Sequence, residues 1–277
     1  MKLLRYGDAG AEKWGVLDAE GRVRTLDDAL EHVTGEALSP GWLAQLGKLD
    51  PEKLSLLKAE RRIGPCVPRP VNFVCVGLNY ADHAAETNSK IPREPILFLK
   101  ALSAYSGPYD DIAIPPGSTQ TDYEVELGVV IGTKAKRVRE EEALDYVAGY
   151  CVVNDVSERH FQKERGGQWD KGKGCDTFGP VGPYLVTKDE VPDPQALHLW
   201  TDVDGERRQD GSTANMIMGV RQLIAYVTEF FTLHPGDIIA TGTPAGVGMV
   251  KGFLRPGQEV RVGIAGLGEQ RAKLVGG

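Results

Sequence analysis

The spacing of hydrophobic and polar positions changes several times along the chain. Residues 1–27 carry short apolar runs, Lys2–Tyr6, Trp14–Leu17 and Val23–Leu26, separated by Gly- and Asp-bearing turns. This pattern predicts small strands in hairpins. Helical spacing follows over Asp28–Val33, Trp42–Leu46 and Pro51–Ala59, where Pro51 suits a first helical turn. Pro65, Pro68 and Pro70 then crowd the segment Gly64–Pro70, as in a linker. The division expected is a small N-terminal α/β domain over residues 1–65 and a larger domain over residues 66–277.

Strand patterns dominate the larger part. Asn72–Gly77, Ile96–Leu99, Tyr123–Ile131, Tyr150–Val153, Tyr184–Val186, Leu197–Asp202, Asp237–Thr241 and Glu259–Ile264 read as strands. Helical period is confined to Glu141–Tyr146 and Met216–Phe231. With 34 glycines and 17 prolines supplying turns, the pattern predicts a β-rich α+β fold of rolled sheets and not a doubly wound α/β sheet.

Composition narrows the function classes. The 277 residues are 41% hydrophobic and 26% charged, an ordinary globular balance. A net charge of −7 argues against a nucleic-acid or membrane-surface partner. Anionic small substrates stay open, because a bound cation reverses the local sign. Cys66, Cys75, Cys151 and Cys175 are scattered without a CxxC pair and read as reduced packing residues. Charge in the first seven residues and the lack of a long apolar run make the cytoplasm the expected location.

The candidate chemistry begins with acids. In Asp122-Tyr123-Glu124-Val125-Glu126-Leu127, strand alternation puts Glu124 and Glu126 on one face, about 7 Å apart. Two such carboxylates by themselves read as a solvated strand face before they read as a site. Asp155 adds a third acid at the end of the apolar run Tyr150–Val153, where functional side chains collect. Three carboxylates without His or Cys form an all-oxygen set suited to Mg²⁺, Mn²⁺ or Ca²⁺ and not Zn²⁺. His83 and Glu86, three apart, share one face of a helical turn; the pair reads either as an oriented general base or as a surface ion pair. Lys173 lies between Gly172 and Gly174, where backbone can approach a ligand closely. Lys171 reads as solvated, and His32, His160, His198 and His234 lack partners at ligand spacing. The loop Thr241–Gly248 lacks the Gly-Lys-Ser/Thr ending of a P-loop; its glycines would let backbone amides and Thr243 reach a carboxylate.

Five stretches, taken in order, resemble the fumarylacetoacetate hydrolase family over residues 72–264. They are Gly77–Glu86 (GLNYADHAAE), Asp122–Leu127 (DYEVEL), Asn154–Gln162 (NDVSERHFQ), Lys171–Pro180 (KGKGCDTFGP) and Thr241–Gly248 (TGTPAGVG). The resemblance implies a rolled mixed β-sheet fold, Mg²⁺ or Mn²⁺ held by Glu124, Glu126 and Asp155, and a homodimer. It also implies cleavage or decarboxylation of small 2-oxo and diketo acids. His83 and Glu86 match the family's base dyad on a mobile lid, Lys173 and Gln162 its oxyanion donors, and Tyr80, Gly242 and Thr243 its substrate contacts. Within the family the chain looks most like the branch that hydrolyses 2,4-diketo-3-deoxy-L-fuconate, whose members often carry a ureidoglycolate lyase label. Gly174-Cys175 departs from the Ser-Phe found in many members.

Overall fold

Alternating apolar positions from segments between residues 2 and 240 are drawn into one sheet. The computed structural model describes residues 1–277. Strands β1 (Lys2–Tyr6), β2 (Lys13–Leu17) and β3 (Val23–Thr25) form the N-terminal hairpins, followed by short helices α1 (Asp27–Leu30) and α2 (Pro40–Leu46). Beyond them run β4 (Phe73–Gly77), helix α3 (Ala81–Glu86), β5 (Ile96–Leu99), β6 (Ile112–Ile114), β7 (Val125–Ile131) and β8 (Val147–Asn154). Helices α4 (Arg159–Lys163) and α5 (Asp170–Lys173) precede β9 (Leu185–Thr187), β10 (His198–Val203) and β11 (Glu206–Ser212). Helix α6 (Val220–Phe230), β12 (Ile238–Ala240), β13 (Glu259–Ile264) and β14 (Gly268–Gly276) complete the main elements.

The large sheet has nine strands in the order β3-β2-β1-β9-β8-β7-β12-β4-β5, and a second sheet has five in the order β11-β10-β13-β14-β6. The β12–β4 and β14–β6 pairs are parallel and the remaining pairs antiparallel, so the fold is the mixed, β-rich α+β architecture expected. The N-terminal β/α region is tied to the rest by hydrogen bonding, because β1 pairs with β9.

Strand β7 is covered on both faces. Val125, Leu127, Val129 and Ile131 enter a core shared with α6 and with Val260, Val262 and Leu274 of the second sheet. Val130 points the other way, into a core with Leu3, Trp42, Phe73, Cys151 and Val153. Each fully buried Val, Leu or Ile contributes about 1.5–3 kcal/mol, so β7 and β8 form the rigid centre. Glu124 and Glu126 share the Val130 side by alternation, at the end of the strand. A solvated outer face, the plain reading of that motif, is not what forms.

Two helical expectations shorten for identifiable reasons. The segment after Pro51 keeps only a 3₁₀ turn over Pro51–Lys53, because the edge strand β3 captures the next residues. Thr25 N–H donates to Ser55 O at 2.8 Å and Leu57 N–H to Val23 O at 2.9 Å. Helix α6 begins at Val220 and not at Met216, since Asn79 accepts from Ile217 N–H (2.7 Å, backbone O) and Met218 N–H (2.9 Å, Oδ1). Strands β6, β11 and β14 escaped the sequence reading, and β6 has only three residues. Glu206–Ser212 is polar on both faces, and in β14 the inward positions Gln270, Ala272 and Leu274 include a polar residue.

Asp237 anchors the start of β12. Its fully buried carboxylate accepts from Val71 N, Asn72 N, Asn72 Nδ2 and His234 N at 2.7–2.9 Å. Asp237→Ala strands these donors and is expected to cost at least about 3 kcal/mol, read as a lower urea midpoint. Metal affinity of the folded variant should be unchanged, because Asp237 and Gly242 lie at opposite ends of β12.

Candidate metal and acid–base site

The register of β7 on β8, Glu126 opposite Val153 and Val125 opposite Asn154, brings the ends of these strands side by side. Asp155 N–H then donates to Glu124 O at 2.9 Å. Glu124, Glu126 and Asp155 each place a carboxylate oxygen within 4.8 Å of the others, and all three are buried. Such a set is unstable by mutual repulsion unless cations enter it.

Three cations do, and each comes from a different segment. Arg159 of α4 donates through Nη2 to Glu124 Oε1 (2.5 Å) and through Nε to Asp122 Oδ2 (2.8 Å). Lys173 Nζ, at the end of α5, bridges Glu124 Oε2 (2.5 Å) and Asp155 Oδ2 (2.7 Å). Lys100 Nζ, just past β5, donates to Asp155 Oδ1, to Val156 O (3.1 Å) and to Lys173 O (2.6 Å). Glu126 is reached by no side-chain cation; its Oε2 accepts only from Gly242 N–H at 2.8 Å. Both oxygens of Glu124 and of Asp155 are therefore hydrogen-bonded, with Lys173 shared between the two acids, whereas Glu126 is bonded at Oε2 alone.

The charges set the titration of these groups. Burial would raise Glu124, but Arg159 and Lys173 outweigh it and hold the carboxyl well below the usual carboxylate range. Glu126 goes the other way: burial, then the charges of Asp155 and Glu124, lift it well above that range. Burial opposes the charge on Lys173, yet Asp155 and Glu124 prevail and raise it above an ordinary lysine, so it is a cation and not a base.

The residues fit a divalent ion. The donor set is all oxygen, the ammonium of Lys173 already bridges an oxygen of Glu124 and one of Asp155, and Glu126 lacks any counter-charge. A second acid group, Asp18, Glu20 and Glu52, makes the contrast clear. It is partly exposed and already answered by Arg22 and Arg24.

The same cleft holds an acid–base pair. Leu78 takes a positive φ of 52° where the chain leaves β4 for α3, a strained conformation of the kind that clusters at functional sites. On α3, His83 Nδ1 meets Glu86 Oε1 at 2.9 Å, with His83 only 8% exposed. Glu86 is fixed in turn by Gly246 N–H, 2.9 Å from Oε1 and 2.8 Å from Oε2. Gly246 has φ of 102°, and a Cβ there would lie 2.0 Å from Arg208 O, so this amide can come only from glycine. The pair is a held dyad and not a surface ion pair.

His83, Glu124, Glu126, Asp155, Gln162, Lys173 and Thr243 all line this cleft. Gln162 is buried and accepts from Arg159 Nη1 through Oε1 at 3.0 Å, which leaves its amide NH₂ as a donor. Thr243 has its hydroxyl committed, donating to Val125 O (2.9 Å) and accepting from Gln209 Nε2 (2.8 Å). The Gly242 N–H is likewise spent on Glu126. Tyr80 is fully buried in the main core beside the cleft, its hydroxyl unpartnered. Gly174 and Cys175 stand outside the lining. Lys100 and Arg159 were missed by sequence reasoning, although Lys100 ends the apolar run Ile96–Leu99 much as Asp155 ends its own.

Comparison with known proteins shows what the chain as a whole is similar to. The sequence signature of the family described as fumarylacetoacetate (FAA) hydrolase C-terminal matches residues 72–275. A relative from Burkholderia ambifaria, named no more specifically than as a hydrolase, is 60% identical over 274 residues, which cover 98% of this chain and 97% of the relative. The structure of a fumarylacetoacetate hydrolase from Exiguobacterium antarcticum superposes with a TM-score of 0.85 at 35% identity, covering 100% of both chains. A 2-hydroxyhepta-2,4-diene-1,7-dioate isomerase from Mycobacterium marinum gives 0.79 at 30% identity, covering 100% of this chain and 98% of its own.

The raised Glu126 generates a pH prediction. Its folded pKa lies above its unfolded one, so the metal-free fold loses stability as pH rises from the ordinary carboxylate range through the raised value. A divalent ion removes that loss, and must displace the proton when added below it. Apparent Mg²⁺ affinity is therefore expected to fall with decreasing pH. At a hundred times its Kd the ion should stabilise by about 2.7 kcal/mol. In Glu126→Gln the metal-free protein should melt at or above the wild-type temperature at pH 8, with no further rise on adding Mg²⁺. An undiminished Mg²⁺-induced rise in that variant would remove Glu126 from the ligand set.

Proposed function

The chain belongs to the fumarylacetoacetate hydrolase family, and from that premise we propose that it is a Mg²⁺- or Mn²⁺-dependent hydrolase of a carbon–carbon bond in a 2,4-diketo acid. The observation that carries this reading is the opening of the buried Glu124–Glu126–Asp155 cluster onto the same cleft as the His83–Glu86 dyad. When bound there, the ion would supply Lewis-acid polarisation of the 2-oxo acid end.

The chain's own groups account for the remaining steps. With Nδ1 turned to Glu86, His83 keeps Nε2 as its free nitrogen, suited to take a proton from water as that water adds to the C4 carbonyl. The electron pair moves to the C4 oxygen. The third N–H of Lys173 and the amide of Gln162 are the donors for this oxyanion, each worth roughly 10²–10³ in rate. The C4 carbonyl re-forms, the C3–C4 bond breaks, and its electron pair leaves with the three-carbon fragment as an enolate. Imidazolium at His83 returns the proton to C3, giving pyruvate and a second carboxylic acid.

The first substrate to examine is 2,4-diketo-3-deoxy-L-fuconate, which would yield pyruvate and lactate. Acylpyruvate hydrolysis would use the same groups. Oxaloacetate decarboxylation would leave the dyad without water to activate, and a silent 2-oxo acid binding protein would have no use for it. The same reading takes the protein as a homodimer acting on a small molecule. No helix is long and apolar enough to cross a membrane.

His83→Ala is expected to keep Mg²⁺ and to bind an unreactive 2-oxo acid, while hydrolysis falls at least about a hundredfold. Pyruvate release from the deoxyfuconate derivative, acetylpyruvate and oxaloacetate is the assay. Normal hydrolysis by this variant would end the dyad assignment. Release from oxaloacetate alone would replace the hydrolase by a decarboxylase.

A further inference from the structure

Arg159, Lys163 and Lys173 are the cations that line the cleft. Arg159 is committed to Asp122 and Glu124, and Lys173 to Glu124 and Asp155. Lys163 meets no carboxylate. Its Nζ donates one hydrogen bond, to Met249 Sδ at 3.1 Å, and a thioether is a weak, uncharged acceptor. Two of its three donors are therefore without a protein partner. Burial, then the neighbouring charge of Arg159, lowers its pKa from that of an ordinary lysine. A cation held beside another cation, with only sulfur to answer it, gains from an anion.

Helix α4 sets its position. Arg159, Gln162 and Lys163 fall at i, i+3 and i+4 and share one face. Arg159 tethers Glu124, and the Gln162 amide is the donor proposed for the oxygen on C4. Lys163 follows on that face and reaches Met249, whose N–H donates to Asp122 Oδ2 at 3.3 Å. The same oxygen accepts from Arg159 Nε at 2.8 Å, so α4 and Met249 share one anchor. Phe98 and Trp169, edge to face with ring centroids 5.4 Å apart, join Met249 in the apolar lining.

We propose that Lys163 is a substrate-binding residue that recognises a second carboxylate at the acyl end, so that the preferred 2,4-diketo acid is a diacid. The inference rests on the hydrolase reading and narrows its substrate class. Methylenes beyond C4 would lie against the apolar lining, and the terminal carboxylate would replace Met249 Sδ as the acceptor of Lys163. The hydroxyls of a sugar-acid tail could accept from the same ammonium, but they leave its charge unanswered.

The test compares two substrates that differ in that charge alone, 2,4-dioxoheptanedioate and its terminal monoamide. Pyruvate release is measured with Mg²⁺ present. The wild type is expected to prefer the diacid by at least about tenfold in kcat/KM, carried mainly by KM. Lys163→Met should bring the two substrates close to parity, and Lys163→Glu should favour the amide. A merely structural lysine would lower both substrates alike and keep the ratio. Equal use of the two by the wild type would overturn the inference, leave the hydrolase reading standing and return the uncharged sugar tail to first place. A diacid preference that survives in the Met and Glu variants would equally overturn it. No pyruvate from either compound, nor from acetylpyruvate or the deoxyfuconate derivative, would overturn the hydrolase reading together with this inference.

Discussion

Three carboxylates held within 4.8 Å of one another and shut away from solvent repel strongly, and the arrangement of this protein answers that repulsion. Removing charges from water costs several kcal/mol per ion even after relaxation. Glu124 and Asp155 are compensated by Arg159, Lys173 and Lys100, drawn from α4, α5 and the end of β5. Glu126 is not, and its lifted pKa is the residue of the imbalance. A divalent ion would supply the charge that the side chains withhold. Stability and cation binding are therefore two aspects of one electrostatic arrangement.

That arrangement needs a rigid frame. Because β7 and β8 lie at the middle of the nine-stranded sheet with cores on both faces, the ends of those strands have little freedom. Side-chain alternation then fixes which residues reach the cleft: the Val125–Ile131 series faces the second sheet, and Glu124 and Glu126 face away from it. The dyad is fixed less deeply. It rides on the six-residue helix α3 and depends on the Gly246 amide to orient Glu86. The cluster is thus built into the sheet, while the dyad is held by a short helix and a loop.

The division of labour among the polar groups follows from what each is already bonded to. Lys173 and Gln162 each retain a donor for a ligand. Thr243 and Gly242 spend theirs on Val125 and Glu126, so they shape the cleft wall more than they offer new hydrogen bonds. Tyr80 contributes a buried phenol whose pKa is driven up by burial and then by Glu126 and Asp82. The bonding separates the donors that are already spent from those that are free.

Much of this was legible in the chain itself, because it depends on local periodicity. The apolar runs gave most strands, the ExE spacing put Glu124 and Glu126 on one side of β7, and the i,i+3 spacing put His83 against Glu86. Asp155 stood out as an acid ending an apolar strand. What the sequence could not convey was decided by contacts between distant segments. Edge pairing with β3 overrode helical spacing after Pro51, and Asn79 delayed the start of α6. Lys100 lies 55 residues from Asp155, and no local pattern predicts that its ammonium is buried there. Periodicity reports which face a residue takes, since neighbours along one element share a fixed geometry. It is silent on which charge meets which, since that is set only when the sheet brings separate elements together.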